Sequence, residues 1–390
     1  AVAFRGDIPS SMDEGEAGPG FPIEVFNVLG AGDGFMSGLL KGWLDGEAWP
    51  VALKYANACG AFAVSRHGCT PAYPSWEELQ FFFKRGITRP DLRNDAELEQ
   101  VHWATNRAGD WSSVKTFAFD HRMQLEEMAG YSKDKGGAFK ELCLQAALDV
   151  QAGQPGYGIL CDNRIGRAAL HAASGSGLWI GRPTEFPGSR PIQLEPELGE
   201  DLGQLREWAR ENVVKLLVFC HPDDDAATRT RQEDVVKRLW HASRRNGLEF
   251  LLEIIPSKVG AVDDISTATL IQQFYDLGVY PDWWKLEPFK SAAAWQNAVD
   301  AIERNDPYTR GIVVLGLDAP EAELAASFAM AAQQPLVKGF AVGRTIFGDA
   351  ARAWMAGDSS DSEAIDMMRG RYQRLCEIWD QARAAAQAAS

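Results

Sequence analysis

The sequence predicts an α/β protein built mainly as a (β/α)8 barrel, with a smaller α/β segment of a different pattern ahead of it. Three observations lead there. From Val114 onward, apolar strand candidates alternate with helical stretches about eight times within about 240 residues, the repeat a closed parallel barrel needs. Charged and polar residues gather at the C-terminal ends of those candidates, where this fold carries its chemistry. The residues before Gly86 follow another pattern, a Gly-rich turn that opens an apolar helix. A doubly wound sheet is the alternative, but it rarely runs so many uninterrupted repeats.

A chain of 390 residues exceeds the usual size of one core, so two domains are the default. The composition shifts place them at 1–86 and 114–390, with the polar, mixed stretch 87–113 as a linker carrying a short helix. Hydrophobic residues at 46% and charged residues at 24% are ordinary for a water-soluble chain. The net charge of -15 argues against nucleic acid or an anionic membrane as partner. No apolar run is long enough to span a bilayer, and the N-terminus lacks a signal-peptide pattern. Six scattered cysteines without C-x-x-C read as buried thiols of a reducing compartment. The expectation is a cytoplasmic protein, and a homo-oligomer is compatible with it.

The opening is polar, with a Gly/Pro/Glu loop at Asp13 to Gly20. Phe21 to Asn27 reads as a strand, followed by Leu29-Gly30-Ala31-Gly32-Asp33-Gly34-Phe35 and an apolar helix through Leu44. A Gly-rich turn at a helix start presents backbone N–H groups and the positive end of the helix dipole to an anion. Asp33, beside such a turn, could take a proton from an attacking hydroxyl. The alternative is simply a tight turn.

The run Asn27-Val28-Leu29-Gly30-Ala31-Gly32-Asp33-Gly34-Phe35-Met36-Ser37-Gly38 closely resembles the C-terminal signature of the ribokinase-like (PfkB) sugar kinases. So do Tyr55-Ala56-Asn57-Ala58-Cys59-Gly60-Ala61, Arg66-His67-Gly68-Cys69 and Pro74-Ser75-Trp76-Glu77-Glu78-Leu79. The resemblance implies Asp33 as catalytic base, Gly30, Ala31 and Gly32 as the anion hole for the transferring phosphoryl group, and Asn57 near the adenine side. It covers residues 1–86, about the last third of such a kinase. A half-built phosphoryl-transfer site does not position its substrate. The ATP and Mg2+ of the family are therefore not expected to be used by this segment alone.

In the barrel the strand candidates are Thr116–His121, Gly158–Asp162, Leu178–Arg182, Val213–His221, Glu249–Ile255, Asp282–Glu287, Gly311–Asp318 and Val337–Gly343. Helical stretches are clearest at Ala227–Asn246, Thr267–Leu277, Ser291–Asn305 and Glu321–Gln333, with a terminal helix over Ser362–Ala388. The polar residues at the strand ends are Asp120, His121 and Arg122; Asp162 and Arg164; Arg182; Lys215 and His221; Glu253; Lys285 and Glu287; Asp318; Gly343 and Arg344. Each alone could be a rim charge. No His/Asp/Glu set has a spacing that demands a metal.

The sixth candidate, Trp283-Trp284-Lys285-Leu286, is bounded by Tyr280-Pro281 and Pro288. A lysine in a buried strand needs pairing or neutrality. It is either a structural ion pair or an amine ready to form an imine with a ketone. Lys215 is a second lysine in an apolar strand, and a cation near Lys285 would favour its neutral form. Glu253 and Asp120 could shuttle protons or merely neutralise the lysines. Two lysines and two carboxylates on inner faces favour the chemical reading. The loops after strands seven and eight, with Gly316 and with Gly343-Arg344, have the makings of a phosphate pocket.

This set resembles the class I, Schiff-base aldolases, particularly the tagatose-bisphosphate aldolase-like group, in which the imine lysine lies on strand six. More narrowly, Phe119-Asp120-His121-Arg122, Gly181-Arg182-Pro183-Thr184-Glu185, Phe219-Cys220-His221-Pro222-Asp223-Asp224-Asp225, Pro281-Asp282-Trp283-Trp284-Lys285-Leu286 and Lys338-Gly339-Phe340-Ala341-Val342-Gly343-Arg344-Thr345-Ile346-Phe347 look like the barrel domain fused to 5-dehydro-2-deoxygluconokinases in bacterial myo-inositol catabolism. The resemblance implies cleavage of 5-dehydro-2-deoxy-D-gluconate 6-phosphate to dihydroxyacetone phosphate and malonate semialdehyde, without a cofactor. It implies Lys285 as imine former, with Lys215, Glu253 and Asp120 around it. Arg344 would hold the phosphate, and Arg122 or Arg182 the carboxylate.

Overall fold

The computed structural model describes residues 15–389 and, by backbone only, residues 2–3. Asp13 and Glu14 of the expected opening loop lie outside the described residues. The chain divides into two compact units, Ala1–Arg107 and Ala108–Ser390.

The first unit is mainly helical: α1 Ala31–Leu44, α2 Trp49–Ser65, α3 Trp76–Arg85 and α4 Ala96–Asn106. Glycines at a spacing of four on α1 let it lie directly on α2. A Cβ added at Gly38 would stand 2.5 Å from the Tyr55 carbonyl oxygen, and one at Gly42 2.6 Å from Ala52 Cα. The opposite side of α1 leaves Met36, Leu40 and Trp43 exposed. Phe62, Leu79, Phe82, Leu92 and Leu98 form the core. Under it, Arg66 pairs with the fully buried Glu78 at 2.5 Å.

Two expectations change here. Phe21 to Asn27 is not a strand, because no neighbouring strand among the described residues offers it a ladder. Its backbone is satisfied singly instead, Glu24 N–H on the Pro90 carbonyl and Phe26 N–H on that of Val64. The stretch expected as a linker is largely built structure. Leu92 and Leu98 are fully buried, and Asp95 caps α4 by accepting from the Leu98 N–H at 3.2 Å. The short helix expected there exists as α4, but isolated apolar residues, Leu92 and Leu98, pack the stretch into the core rather than leaving it a free linker.

The second unit is a closed barrel of eight parallel strands among the described residues. They are β1 Val114–Ala118, β2 Tyr157–Leu160, β3 Trp179–Pro183, β4 Asn212–Val218, β5 Glu249–Ile254, β6 Trp283–Leu286, β7 Gly311–Leu315 and β8 Val337–Val342. Each overlaps its expected range. Several end before the expected polar terminus, so Asp120, His121, Glu287 and Asp318 stand in loops just past the sheet.

Closure joins β8 to β1, with Gly339 opposite Val114. A Cβ on Gly339 would meet the Val114 carbonyl oxygen at 2.0 Å, so only glycine allows that approach. The barrel interior is filled by Leu160, Trp179, Val213, Leu251, Trp283 and Val313, among others. Trp179 and Trp283 meet edge to face with centroids 5.6 Å apart. Burying one indole contributes roughly 4–6 kcal/mol as an upper bound, which makes this layer a solid floor.

Outside the sheet lie α5 Met123–Glu126, α6 Lys133–Gln151, α7 Asn163–Ala173, α8 Ala226–Arg245, α9 Ser266–Asp276, α10 Ala292–Asn305, α11 Glu321–Ala331, α12 Arg344–Ala356 and α13 Asp361–Ala389. Side-chain caps start several of them: Ser132 on α6, Asp162 on α7, Asp225 on α8 and Ser291 on α10. All six cysteines are free thiols, and five are buried.

Candidate active site

Period-two alternation carries the chemistry above the tryptophan floor. On β5 and β6, Leu251 and Trp283 face inward, and two residues further on Glu253 and Lys285 do the same. Glu253 and Lys285 are register partners, so their side chains meet: Lys285 Nζ lies 3.0 Å from Glu253 Oε1. On β4, Lys215 follows Val213 by the same rule. Its Nζ donates to Glu185 Oε1 at 2.9 Å and to Asp120 Oδ2 at 3.2 Å. It also lies 2.9 Å from Glu253 Oε2, close enough to pair but poorly aligned for a hydrogen bond.

Glu185 comes from the irregular segment after β3 and crosses the end of β4, accepting the Leu217 N–H at 3.0 Å. All five of these groups are buried. They and their neighbours line one cavity of ≈ 410 Å³ at the C-terminal mouth of the barrel, with His121, Lys258, Gly316, Asp318, Gly343 and Arg344 around it.

The electrostatics follow from crowding. Burial alone would raise Asp120, but Lys215 and the other cations of the cluster hold its carboxyl well below the usual range. Glu253 is likewise lowered, burial being outweighed by Lys215 and then Lys285. Burial would lower Lys215, yet Glu185, Glu253 and Asp120 hold it above an ordinary lysine, a fixed cation. His121 is pushed down to about 4, first by burial and then by Arg344, Lys285 and Lys215 against the pull of Asp120. Its Nδ1 has no hydrogen-bond partner among the described residues.

At the other side of the mouth, the turn after β7 holds Leu317 and Asp318 in the left-handed region, φ 51° and 63°. That conformation costs roughly 1–2 kcal/mol per non-glycine residue. It sets Asp318 Oδ2 3.1 Å from an Arg344 guanidinium nitrogen. Gly343 precedes α12, and a Cβ there would stand 2.3 Å from the Ala118 carbonyl oxygen.

The four expected catalytic residues, Lys285, Lys215, Glu253 and Asp120, are thus brought together, and Gly316, Gly343 and Arg344 line the same cavity. Of the two arginines expected for a carboxylate, Arg122 lines the cavity but is already paired with buried acids, and Arg182 does not line it. Arg122 donates to Glu185 Oε1 at 3.0 Å and Glu195 Oε1 at 2.9 Å, both buried. Breaking such a pair is costly, on the order of 3–5 kcal/mol. Arg182 points out of the barrel. Its guanidinium lies 3.7 Å above the Trp208 ring and donates to Asn212 Oδ1 at 3.2 Å. Residue 182 stands three positions after the inward-facing Trp179, on the opposite face of its strand, a signal the sequence carried. Asp162 is likewise taken, capping α7 and pairing with buried Lys140.

Glu185 and Lys258 were missed as site residues because both stand beyond strand ends, where alternation no longer forecasts direction. The sequence held Glu185 only as the last residue of the run Gly181-Arg182-Pro183-Thr184-Glu185, with no role attached to it.

In the first unit, Gly30 caps α1 at φ 79°, with Ala31, Gly32 and Asp33 in the first turn. Around Gly32 a Cβ would meet nothing within 4 Å, and Asp33 is exposed. Tyr73 Oη donates to the Gly30 carbonyl at 3.1 Å. Asn57 does not join them: its amide donates to the Pro19 carbonyl at 2.7 Å.

Fold and site together define a parallel α/β barrel with a buried lysine–carboxylate cluster at its C-terminal mouth. The chain belongs to the family described as "Uncharacterized protein conserved in bacteria (DUF2090)", which matches residues 78–383. Residues 10–76 match the pfkB family carbohydrate kinases, so a kinase-family segment precedes the barrel, the order expected from the sequence.

Among curated relatives, a 5-dehydro-2-deoxygluconokinase of Geobacillus thermodenitrificans is 30% identical over 74 residues, 19% of this chain and 22% of that protein. An ATP-dependent ribose-1-phosphate kinase of Halopiger xanaduensis is 43% identical over 54 residues, 14% of this chain and 18% of that protein. The chain therefore spans about a fifth of the curated relatives it matches.

Among solved structures, a structural-genomics target from Corynebacterium glutamicum aligns with TM-score 0.43 at 15% identity, covering 76% of this chain and 97% of that one. A fructose-bisphosphate aldolase from Slackia heliotrinireducens aligns with TM-score 0.44 at 15% identity, covering 74% and 95%. Likenesses this distant say nothing of activity. Among the described residues no helix is long and apolar enough to cross a membrane, and no group of three or more His, Cys, Asp or Glu could hold a metal ion.

Proposed function

We propose that the barrel is a Schiff-base aldolase that cleaves 5-dehydro-2-deoxy-D-gluconate 6-phosphate to dihydroxyacetone phosphate and malonate semialdehyde, as in myo-inositol catabolism. The observation that carries the reading is the placement of Lys285 Nζ on the cavity wall, 3.0 Å from Glu253 Oε1 and over a packed tryptophan floor. An amine that attacks a ketone must shed a proton, and Glu253 is the acceptor within reach.

In this mechanism Nζ adds to the C5 carbonyl, and the carbinolamine loses water to a protonated imine. A carboxylate, Glu253 or Asp120, takes the proton of the C3 hydroxyl. The C3–C4 bond breaks, its electrons pass to the iminium as an enamine, and malonate semialdehyde leaves. Protonation at C4 and hydrolysis of the imine then release dihydroxyacetone phosphate. Lys215, permanently charged, keeps the surrounding carboxylates ionised and its neighbour oriented.

Arg344 suits the phosphate because its partner is easily exchanged. The pair with Asp318 is solvent-exposed, 38% and 48% by side chain, and such pairs contribute about 0–1 kcal/mol. The test is borohydride reduction in the presence of dihydroxyacetone phosphate. A mass adduct on Lys285 is expected; no adduct there, or full cleavage by Lys285→Ala, sinks the reading.

The pfkB match favours a second reading, an ATP- and Mg2+-dependent sugar kinase to which this chain contributes the Gly30–Gly32 turn and Asp33. The open space at Gly32 suits an anion. Phosphorylation of 5-dehydro-2-deoxygluconate by the chain would support it, and none under saturating ATP and Mg2+ rules it out for the chain alone.

A further inference from the structure

We propose that Lys258 receives the carboxylate end of a substrate that is anionic at both ends, the phosphate end lying at Arg344. This rests on the aldolase reading above and adds to it a specificity determinant. The cations lining the cavity are otherwise matched among the described residues. Lys215 has Asp120, Glu185 and Glu253; Lys285 has Glu253; Arg122 has Glu185 and Glu195; and Arg344 has Asp318. Lys258 lines the same cavity, is solvent-exposed, and makes no ion pair within 4.0 Å among the described residues, although its charge acts on the buried Glu287 carboxyl. A cation without a short ion pair at the mouth of a site is free to take a closer counter-ion from the ligand.

Its position is built rather than incidental. Lys258 ends the 3-10 turn Pro256–Lys258 directly after β5, the strand of Glu253. The turn is fastened on one side to the end of β6, where Glu287 accepts the Ser257 N–H at 3.1 Å and the Ser257 hydroxyl. On the other side the following loop is held to the end of β4, His221 Nε2 lying 2.8 Å from the Ala261 carbonyl oxygen. A Cβ at Gly260 would stand 3.0 Å from that imidazole, so the loop lies flat on it.

The barrel order β5-β6-β7-β8 then puts Lys258 on one flank of Lys285 and Arg344 on the other. A ketone condensed with Lys285 and holding its phosphate at Arg344 would extend its remaining carbons toward Lys258. The chemical class this selects is a phosphorylated keto acid, rather than a neutral ketose phosphate.

The experiment compares ligands with and without the carboxylate in Lys258→Met and Lys258→Arg of the full chain. For cleavage of the phosphorylated keto acid, Lys258→Met should raise KM about ten- to a hundredfold, the range for a charged hydrogen bond, while kcat changes less than about threefold. The half-saturating concentration of dihydroxyacetone phosphate in borohydride trapping should move less than about threefold, and Lys258→Arg should recover most of the KM. If the wild type traps dihydroxyacetone phosphate on Lys285 but Lys258→Met leaves the KM for the acid unmoved, the role of Lys258 is refuted while the aldolase reading stands. Equal weakening toward both ligands also refutes it, since Lys258 would then serve the shared phosphate end. A wild type that traps nothing defeats the aldolase reading and this inference with it.

Discussion

Lys285 and Glu253 face each other from adjacent strands in register, Nζ to Oε1 3.0 Å. The other oxygen of the same carboxylate lies 2.9 Å from Lys215, so one acid serves two amines. Glu253→Gln keeps the shape and removes the proton acceptor. It should lower kcat for aldehyde release by about a hundredfold or more, with a smaller change in KM. Steady-state kinetics with a coupled aldehyde assay check this, and an unchanged kcat assigns the proton transfer elsewhere.

Lys215 is the cation against which Asp120, Glu185 and Glu253 are all balanced. Lys215→Met leaves three buried carboxylates around an apolar chain and should cost ~3–5 kcal/mol of barrel stability. Adding Glu185→Gln to Lys215→Met should restore part of the loss, because the two residues are in contact and their effects do not add. Urea denaturation of the four proteins of that cycle is the measurement.

Acid should weaken the barrel in two stages. The folded pKa of His121 is lowered to about 4 from an ordinary 6.5, so the unfolded chain accepts a proton that the folded one refuses. Stability is therefore fully present above about pH 6.5 and declines as the pH falls toward about 4. Asp120 and Glu253, also lowered, contribute stability present above the ordinary carboxylate range and lost only as the pH drops further through their folded values. His121→Gln should flatten the first stage and leave the second. Urea midpoints at pH 7, 6, 5 and 4 decide it, and an identical slope in the variant would refute the assignment to His121.

Arg182, stacked on Trp208 outside the barrel, gives the converse test. Arg182→Ala should leave kcat/KM within about twofold and lower stability by about 1 kcal/mol, the size of a partly buried cation–π contact. A tenfold rise in KM would return this arginine to the substrate site.

The barrel itself was legible because its code is local. Apolar runs of four to seven residues, the helical stretches between them and the bounding prolines each depend on near neighbours in the chain. Alternation was enough to turn Lys215, Glu253 and Lys285 inward on the same faces as Val213, Leu251 and Trp283. It failed where a segment had no strand to pair with, as at Phe21–Asn27, and where isolated apolar residues of a polar stretch, Leu92 and Leu98, found a core built elsewhere.

Taken alone, then, the residue order determined a parallel barrel, the lysines and acids on its inner faces, and a kinase-family segment before it. What only the folded chain decided was partnership. Register set Glu253 against Lys285, the segment after β3 brought Glu185 to Lys215, and the same segment with Glu195 gave Arg122 its two buried partners. The reason is range. Which face a side chain takes follows from the residue next to it. Which charge it meets follows from strand pairing and loop paths that join residues 30 to 95 positions apart.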